Sequence, residues 1–133
     1  MEMYRYENCQ QFLEDFCYFK DYFPMVQDYL IKDSCYSDDD WIEWYSVYEG
    51  DVIVAFLAFR KTPLIPYYSH LSVFEVNIEL RGCGIGTEIL LNYLIENPNC
   101  TLYASDENRK FYEFLGFEKD PNERYLYIRQ EWF

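Results

Sequence analysis

Val76-Asn77-Ile78-Glu79-Leu80-Arg81-Gly82-Cys83-Gly84-Ile85-Gly86 is the stretch on which the fold turns. Residues 70–78 read as a strand. Beyond the glycines, Ile85, Ile89, Leu90, Leu94 and Ile95 recur at helical spacing until Asn97-Pro98 stops them. Gly82, Gly84 and Gly86 therefore lie between a strand and a helix. Glycine lets the backbone approach a ligand closely, and a helix start presents unpaired N–H groups at the positive end of its dipole. That combination is an anion cradle suited to a pyrophosphate, although a plain tight turn uses the same residues. The spacing is G-x-G-x-G, not the dinucleotide fingerprint G-x-G-x-x-G, and no acidic residue ends a second strand about 20 residues later. Gly-Lys-Ser/Thr, the mark of an ATP-binding P-loop, is absent as well.

Upstream, residues 3–6 form a short strand candidate. Asn8 then reads as a helix N-cap, with Gln11 completing a capping box. Phe12, Phe16, Phe19 and Phe23 trace one helical face, and Pro24 ends that helix or starts the next, on which Met25, Val26, Tyr29 and Leu30 are apolar. Residues 33–40 are polar and acidic, as in a loop. Residues 41–49 and 51–60 read as two strands joined by turn chemistry at Glu49-Gly50-Asp51. Every residue from 52 to 59 is apolar, so both faces of that strand must be covered, which predicts helices on both sides of a sheet. A loop is expected over 62–66. Downstream come a strand at 101–104, a helix at 108–115 closed by Gly116, and a terminal hairpin of 117–119 and 124–130. The order β-α-α-β-β-β-α-β-α-β-β predicts an α/β (α+β) fold with a mixed twisted sheet of six to seven strands, as one domain over residues 1–133.

Composition narrows the function. Of 133 residues half are hydrophobic and 22% aromatic, ample apolar surface for a core and inconsistent with global disorder. The longest apolar run is the eight residues 52–59, too short to cross a membrane. Residues 1–10 have neither a basic n-region nor an apolar h-region, which points to the cytoplasm. Asp and Glu outnumber Lys and Arg 24 to 11, for a net charge of −13. Such a surface repels nucleic acid and attracts cations, and it also serves plain solubility. Five cysteines without a CxxC pair and a single histidine, His70, support neither a disulfide framework nor a zinc site. Asp38-Asp39-Asp40 lacks the alternation of a calcium loop, so no metal is expected.

Residues 76–86 resemble the acetyl-CoA signature of the GCN5-related N-acetyltransferase (GNAT) family, whose core is Arg/Gln-x-x-Gly-x-Gly/Ala. Phe111-Tyr112-Glu113-Phe114-Leu115-Gly116-Phe117 is similar to the family's second motif, a helix carrying a tyrosine and ending in Gly-Phe. The hairpin at 48–54 is also typical of it. The resemblance implies a splayed central strand pair, residues 70–78 and 101–104, with the pantetheine arm of acetyl-CoA in the gap. Backbone groups of Phe74 and Val76 would pair with the pantetheine, and Arg81, Gly82, Cys83, Gly84, Ile85, Gly86 and Thr87 would hold the pyrophosphate, with Asn108 beside the tyrosine helix.

The implied reaction is acetyl transfer from acetyl-CoA to a primary amine. An amine with a pKa of about 10.4 must first lose a proton, and the leaving thiolate must gain one. Tyr112 matches the family's tyrosine acid. Histone-acetylating relatives place a glutamate where this chain has His70, so His70 is a candidate base, with Glu75 as another and Glu43 or ordered water as further alternatives. Cys83 stands where Lys or Arg is common, and Ser105 replaces an asparagine often found ahead of the tyrosine helix. Glu14, Asp15, Asp28, Asp33 and Asp38–Asp40 would border the acceptor groove and favour a cationic acceptor: a polyamine, an aminoglycoside-like molecule or a protein amine. The alternative is a non-catalytic acyl-CoA-binding or protein-interaction module. Monomer and homodimer are both open, with Tyr125, Tyr127 and Trp132 as an aromatic edge that would pair or simply pack.

Overall fold

The all-apolar run becomes strand β3 (Val52–Lys61) in a computed structural model, which describes residues 1–32, 42–61, 68–123 and 125–129. It is the third strand of a seven-stranded sheet. The others are β1 (Glu2–Arg5), β2 (Ile42–Glu49), β4 (Ser69–Val76), β5 (Cys100–Tyr103), β6 (Glu118–Lys119) and β7 (Leu126–Arg129). Their order is β1-β2-β3-β4-β5-β7-β6. Every neighbouring pair is antiparallel except β4 and β5, so the sheet is mixed as expected.

Helices α1 (Cys9–Phe19) and α2 (Pro24–Lys32) cover one face; α3 (Ile85–Glu96) and α4 (Arg109–Phe114) cover the other. Phe56 and Ala58 of β3 join Phe12, Phe16, Phe23, Val26 and Trp44 on the first face. Leu57 and Phe59 join Ile89, Leu90, Leu94 and Leu102 on the second. The alternation of side chains along β3 thus feeds both cores, which is why residues 52–59 include no polar position. Its first residue, Val52, sits at the hairpin turn and is 52% exposed.

Local chemistry starts α1 as predicted. Asn8 Oδ1 accepts the Gln11 N–H at 2.8 Å. The return bond goes one residue further back than in a capping box, from the Glu7 N–H to Gln11 Oε1 at 3.0 Å. Phe12 and Phe16 are buried, and Phe23 packs under the sheet from the turn between the helices. Pro24 opens α2, where its missing N–H is not needed. Phe12 stacks flat on Trp44, centroids 3.8 Å apart, and meets Phe56 edge-on at 5.5 Å.

Several boundaries differ from the sequence reading. The strand expected over 70–78 ends at Val76, because Asn77 turns the chain: its Oδ1 accepts the Glu79 N–H and its amide donates to Ile53 O. Ile95 is 77% exposed rather than buried, since α3 presents Ile89, Leu90 and Leu94 to the sheet. Tyr127 is fully buried in β7, between β5 and β6, so of the two alternatives it packs in the core, whereas Tyr125 is 46% exposed. The loops predicted over 33–40 and 62–66, together with Trp41, Arg124, Gln130 and Trp132, lie outside the described residues. Among the described residues, no helix is long and apolar enough to cross a membrane.

Phe12 joins α1 to the middle of the sheet through Trp44 and Phe56. Its truncation in Phe12→Ala is expected to cost about 3–5 kcal/mol in urea denaturation. A loss below about 1 kcal/mol would mean that the aromatic stack is not what holds α1.

Candidate active site

Parallel strands β4 and β5 touch only at Ser69–Leu71, which face Cys100–Leu102. On its other side β4 stays paired with β3 as far as Val76. From Ser72 onward β4 therefore has one strand neighbour. The Asn77 N–H bonds Val54 O at 2.8 Å, which sets the phase of the antiparallel ladder. In that phase Glu75 and Val73 direct their backbone groups to β3, and Phe74 and Val76 direct theirs into the gap.

A bulge contributes. The register of β4 on β3 slips between Ala58 and Phe59, which leaves Ser72 without an opposite residue. Leu71 consequently packs in one core and Val73 in the other, although two residues apart on a regular strand would share a face. The gap opens as a cavity of about 410 Å³, within the range of small-molecule sites. Phe74 and Ser72 of β4 line it, with Asn108 and Tyr112 at the start of and inside α4, and Asp28 and Tyr29 on α2.

The glycine loop lies at the β4 end of this gap. Gly82 and Gly84 adopt φ of +86° and +76°, where L side chains are strained, and open space surrounds each. Gly84 caps α3 without any side-chain bond, so the N-cap side chain that usually serves the first-turn N–H groups is missing at Ile85, Gly86 and Thr87. Cys83 is exposed beside them. Gly86 packs the helix start against β4: a Cβ there would lie 3.5 Å from the Phe74 ring and from Val76. Uncapped donors, open space and a dipole end fit a diphosphate.

Arg81 behaves differently from the implied pyrophosphate ligand. Its Nη2 pairs with Glu75 Oε2 at 2.6 Å, and its Nε donates to Val76 O at 3.2 Å. Glu75 in turn accepts the Val26 N–H on Oε1 at 2.9 Å. With both oxygens engaged and its side chain 1% exposed, Glu75 is poorly placed for the role of base and instead pins α2 to β4.

His70 sits in a smaller hollow of about 180 Å³, shared with Tyr29, Arg60, Ser72 and Tyr103. Its Nδ1 is 2.8 Å from Thr101 Oγ1. Burial, then the Arg60 charge, lowers its pKa, so the imidazole is neutral near pH 7. Ser72, Tyr29 and Tyr103 line both hollows, which places His70 beside the gap rather than in it. Burial raises the pKa of Tyr112, with the Cys100 thiol adding to the effect, and keeps the phenol protonated. That is the form an acid needs. The other base alternative, Glu43, accepts from Tyr45 at 2.9 Å and pairs with Arg5 at 3.2 Å on β2, two strands from β4.

Of the three described acidic residues expected at the acceptor border, one lines the cavity. Asp28 is on the cavity wall, 3.0 Å from Lys32. Asp15 is not: it accepts from the hydroxyls of Tyr6 and Tyr48 at the β1 edge. Glu14 faces solvent from α1 beside Gln10. Asp33 and Asp38–Asp40 lie outside the described residues. Sequence reasoning missed Ser72, whose buried hydroxyl has no hydrogen-bond partner among the described residues. No local pattern marks a bulge that depends on the register of two strands.

The model of the Acetyltransferase (GNAT) family matches residues 4–117. The crystal structure of Tetrahymena GCN5 superposes with a TM-score of 0.67 at 12% identity, covering 100% of this chain and 99% of that one. A Bacillus subtilis acetyltransferase in complex with CoA gives 0.62 at 16% identity, covering 96% and 95%. At such identities the likeness is one of fold. No curated protein sequence matches the chain closely enough to count as a relative.

The two kinds of loop glycine should separate on substitution. Gly84→Ala is expected to lose about 1–2 kcal/mol, the cost of a left-handed L residue. Gly86→Ala should hold or gain stability, because its Cβ makes ordinary contacts at 3.5 Å inside a helix. Urea midpoints in the reverse order would contradict the loop conformation.

Proposed function

The chain belongs to the Acetyltransferase (GNAT) family, and from that premise we propose direct acetyl transfer to a primary amine on a cationic acceptor, with Tyr112 as acid and His70 as the proton's destination. The family is one of N-acetyltransferases, and acetyl-CoA is the co-substrate. The observation that carries the reading is the gap between β4 and β5. Backbone groups of Phe74 and Val76 face into it, the glycine loop follows β4 and approaches Phe74 and Val76 through Gly86, and Tyr112 stands on its wall.

Acetyl-CoA supplies an activated thioester carbonyl. Gly82, Cys83, Gly84, Ile85, Gly86 and Thr87 hold the diphosphate through backbone N–H groups, and Asn108 borders the thioester end. An oriented backbone N–H on the carbonyl oxygen, as its charge develops, is worth about 2.7–4 kcal/mol. The amine forms the new C–N bond as the C–S bond breaks. Tyr112 gives its proton to the leaving sulfur. The ammonium proton leaves toward neutral His70 through the hollow that Ser72 shares with the gap. The net charge of −13 supports a cationic acceptor. On the wall itself Lys32 offsets Asp28, so the preference rests on the long-range field.

One observation favours the second reading, a non-catalytic acyl-CoA-binding or interaction module. Arg81, the cation beside the loop, is committed to Glu75 and Val76, and Cys83 adds no charge. Tyr112→Phe separates the two. Acetyl-CoA at a hundred times its dissociation constant should stabilise both wild type and variant by about 2.7 kcal/mol, a melting shift of several degrees. Turnover of the variant should fall by about 10²–10⁴-fold. Binding without turnover in the wild type would favour the module, and no shift with acetyl-CoA would end the cofactor reading.

Acceptor charge has its own test. Spermidine should be acetylated with a higher kcat/KM than a singly charged primary amine at low salt, and the gap should narrow at 0.5 M salt. Equal rates at both salt levels would refute the cationic acceptor.

A further inference from the structure

A second cavity opens at the start of β3. It measures about 490 Å³ and shares no lining residue with the gap between β4 and β5. Val52 and Val54 line it from β3, and Leu80 and Ile85 from either side of the glycine loop. Val54 is buried in the core that α3 covers, and Leu80 and Ile85 pack against that core. This part of the wall is therefore an apolar surface continuous with the interior. Val52, at the hairpin, extends it outward and is 52% exposed although apolar.

The charged side chains of the wall are two carboxylates, Glu49 at the end of β2 and Glu88 in the first turn of α3. No Lys, Arg or His is among the described residues that line it. Glu49 meets the Met1 ammonium at 3.3 Å, and the Met1 side chain, on the same wall, is 11% exposed. An ammonium joined to an apolar chain thus already occupies one side. On the other side the Glu88 carboxylate has no ion pair or hydrogen bond among the described residues. A carboxylate suits the first turn of a helix on dipole grounds, but the dipole does not account for the apolar surface beside it.

Those walls select among ligands. An anion with an apolar tail is repelled by both carboxylates and by the net charge of −13. A polyamine matches the charge, but laying its ammonium groups on valine, leucine and isoleucine strips them of water without a partner. A second copy of the chain brings the same −13. One cationic head on an apolar body satisfies both surfaces, and the volume is that of a small-molecule site. We propose that this cavity is a second ligand site, for a small amphipathic cation whose head meets Glu88 and whose body covers Val52, Val54, Leu80 and Ile85. It stands apart from acetyl transfer, because its ligand needs a positive charge and no amine to acetylate.

Octyltrimethylammonium is the probe, since a quaternary nitrogen has no N–H and cannot act as an acceptor. Titrated into the protein and followed by backbone amide NMR, it should give saturable shifts at residues 49–54, 80 and 85–88. Tetramethylammonium, the head alone, should bind at least about tenfold more weakly, because each buried methylene is worth about fourfold. Octanoate, with the opposite charge, should not saturate. Glu88→Gln should weaken the probe by about threefold, as for an exposed ion pair, and Glu88→Lys by about tenfold. Glu88 is exposed, so both variants should fold, and Glu88→Gln decides the question if Glu88→Lys does not. Absence of saturation, equal binding of octanoate, or an affinity unchanged by substitution of Glu88 would overturn the proposal. Shifts confined to residues 72–74 and 108–112 would place the cation in the gap instead and overturn it as well.

Discussion

Past Leu71, β4 keeps β3 as a neighbour and gives up β5, and the rest of the site follows from that loss. Backbone N–H and C=O groups that would have closed a ladder are left facing a gap. A protein interior rarely tolerates such groups without partners; Arg81 meets the Val76 carbonyl, and a ligand with its own amides would find partners along the rest of the gap. The separation needs support from both sides. The bulge at Ser72 changes which face β4 presents, and α3 packs Gly86 against Phe74 and Val76 to hold the strand end in place. Without a small residue at position 86 in the first turn, that helix would stand further from the gap.

The two faces of the sheet divide the work. The α3 and α4 face brings Asn108 and Tyr112 to the gap, where Leu102 joins them, and Ile89, Leu90 and Leu94 pack in the core with Leu102. The α1 and α2 face is held by aromatic stacking, with Phe12 flat on Trp44 and Phe56 edge-on to both Phe16 and Phe23. Flat and edge-on rings fix orientation as well as burying area, which suits a layer that must place α2 accurately. Glu75 crosses between these halves. A buried carboxylate is costly unless its oxygens are satisfied, and here one is met by a helix N-terminus and the other by Arg81.

Electrostatics at the site work in the same direction as the geometry. Burial holds Tyr112 in its protonated form and His70 in its neutral form, so the group expected to give a proton has one and the group expected to take one is empty. Both are forms that the free side chains already favour near pH 7, and the fold reinforces them: burial beneath α4 raises the pKa of the phenol, and burial beside Arg60 lowers that of the imidazole.

Much of this was legible along the chain. The apolar run at 52–59 called for a sheet covered on both sides, Asn8 marked the start of α1, and the glycines between strand and helix marked the turn into α3. Such signals survive in one dimension because each depends on neighbours within a helical turn or a strand repeat. The Arg/Gln-x-x-Gly-x-Gly/Ala spacing and the Tyr112 helix placed the family for the same reason. What tertiary structure decided concerns residues brought together from afar. Glu75, read as a base, is bound on both oxygens by Arg81 and by Val26, 49 residues away. Asp15, read as part of an acidic border, belongs to Tyr6 and Tyr48 at the sheet edge. Ser72 gained its place from a slip in the register of β4 on β3. A side chain's type and spacing are written in the sequence, but whether a carboxylate is free or bonded depends on which distant donor the packed fold carries to it.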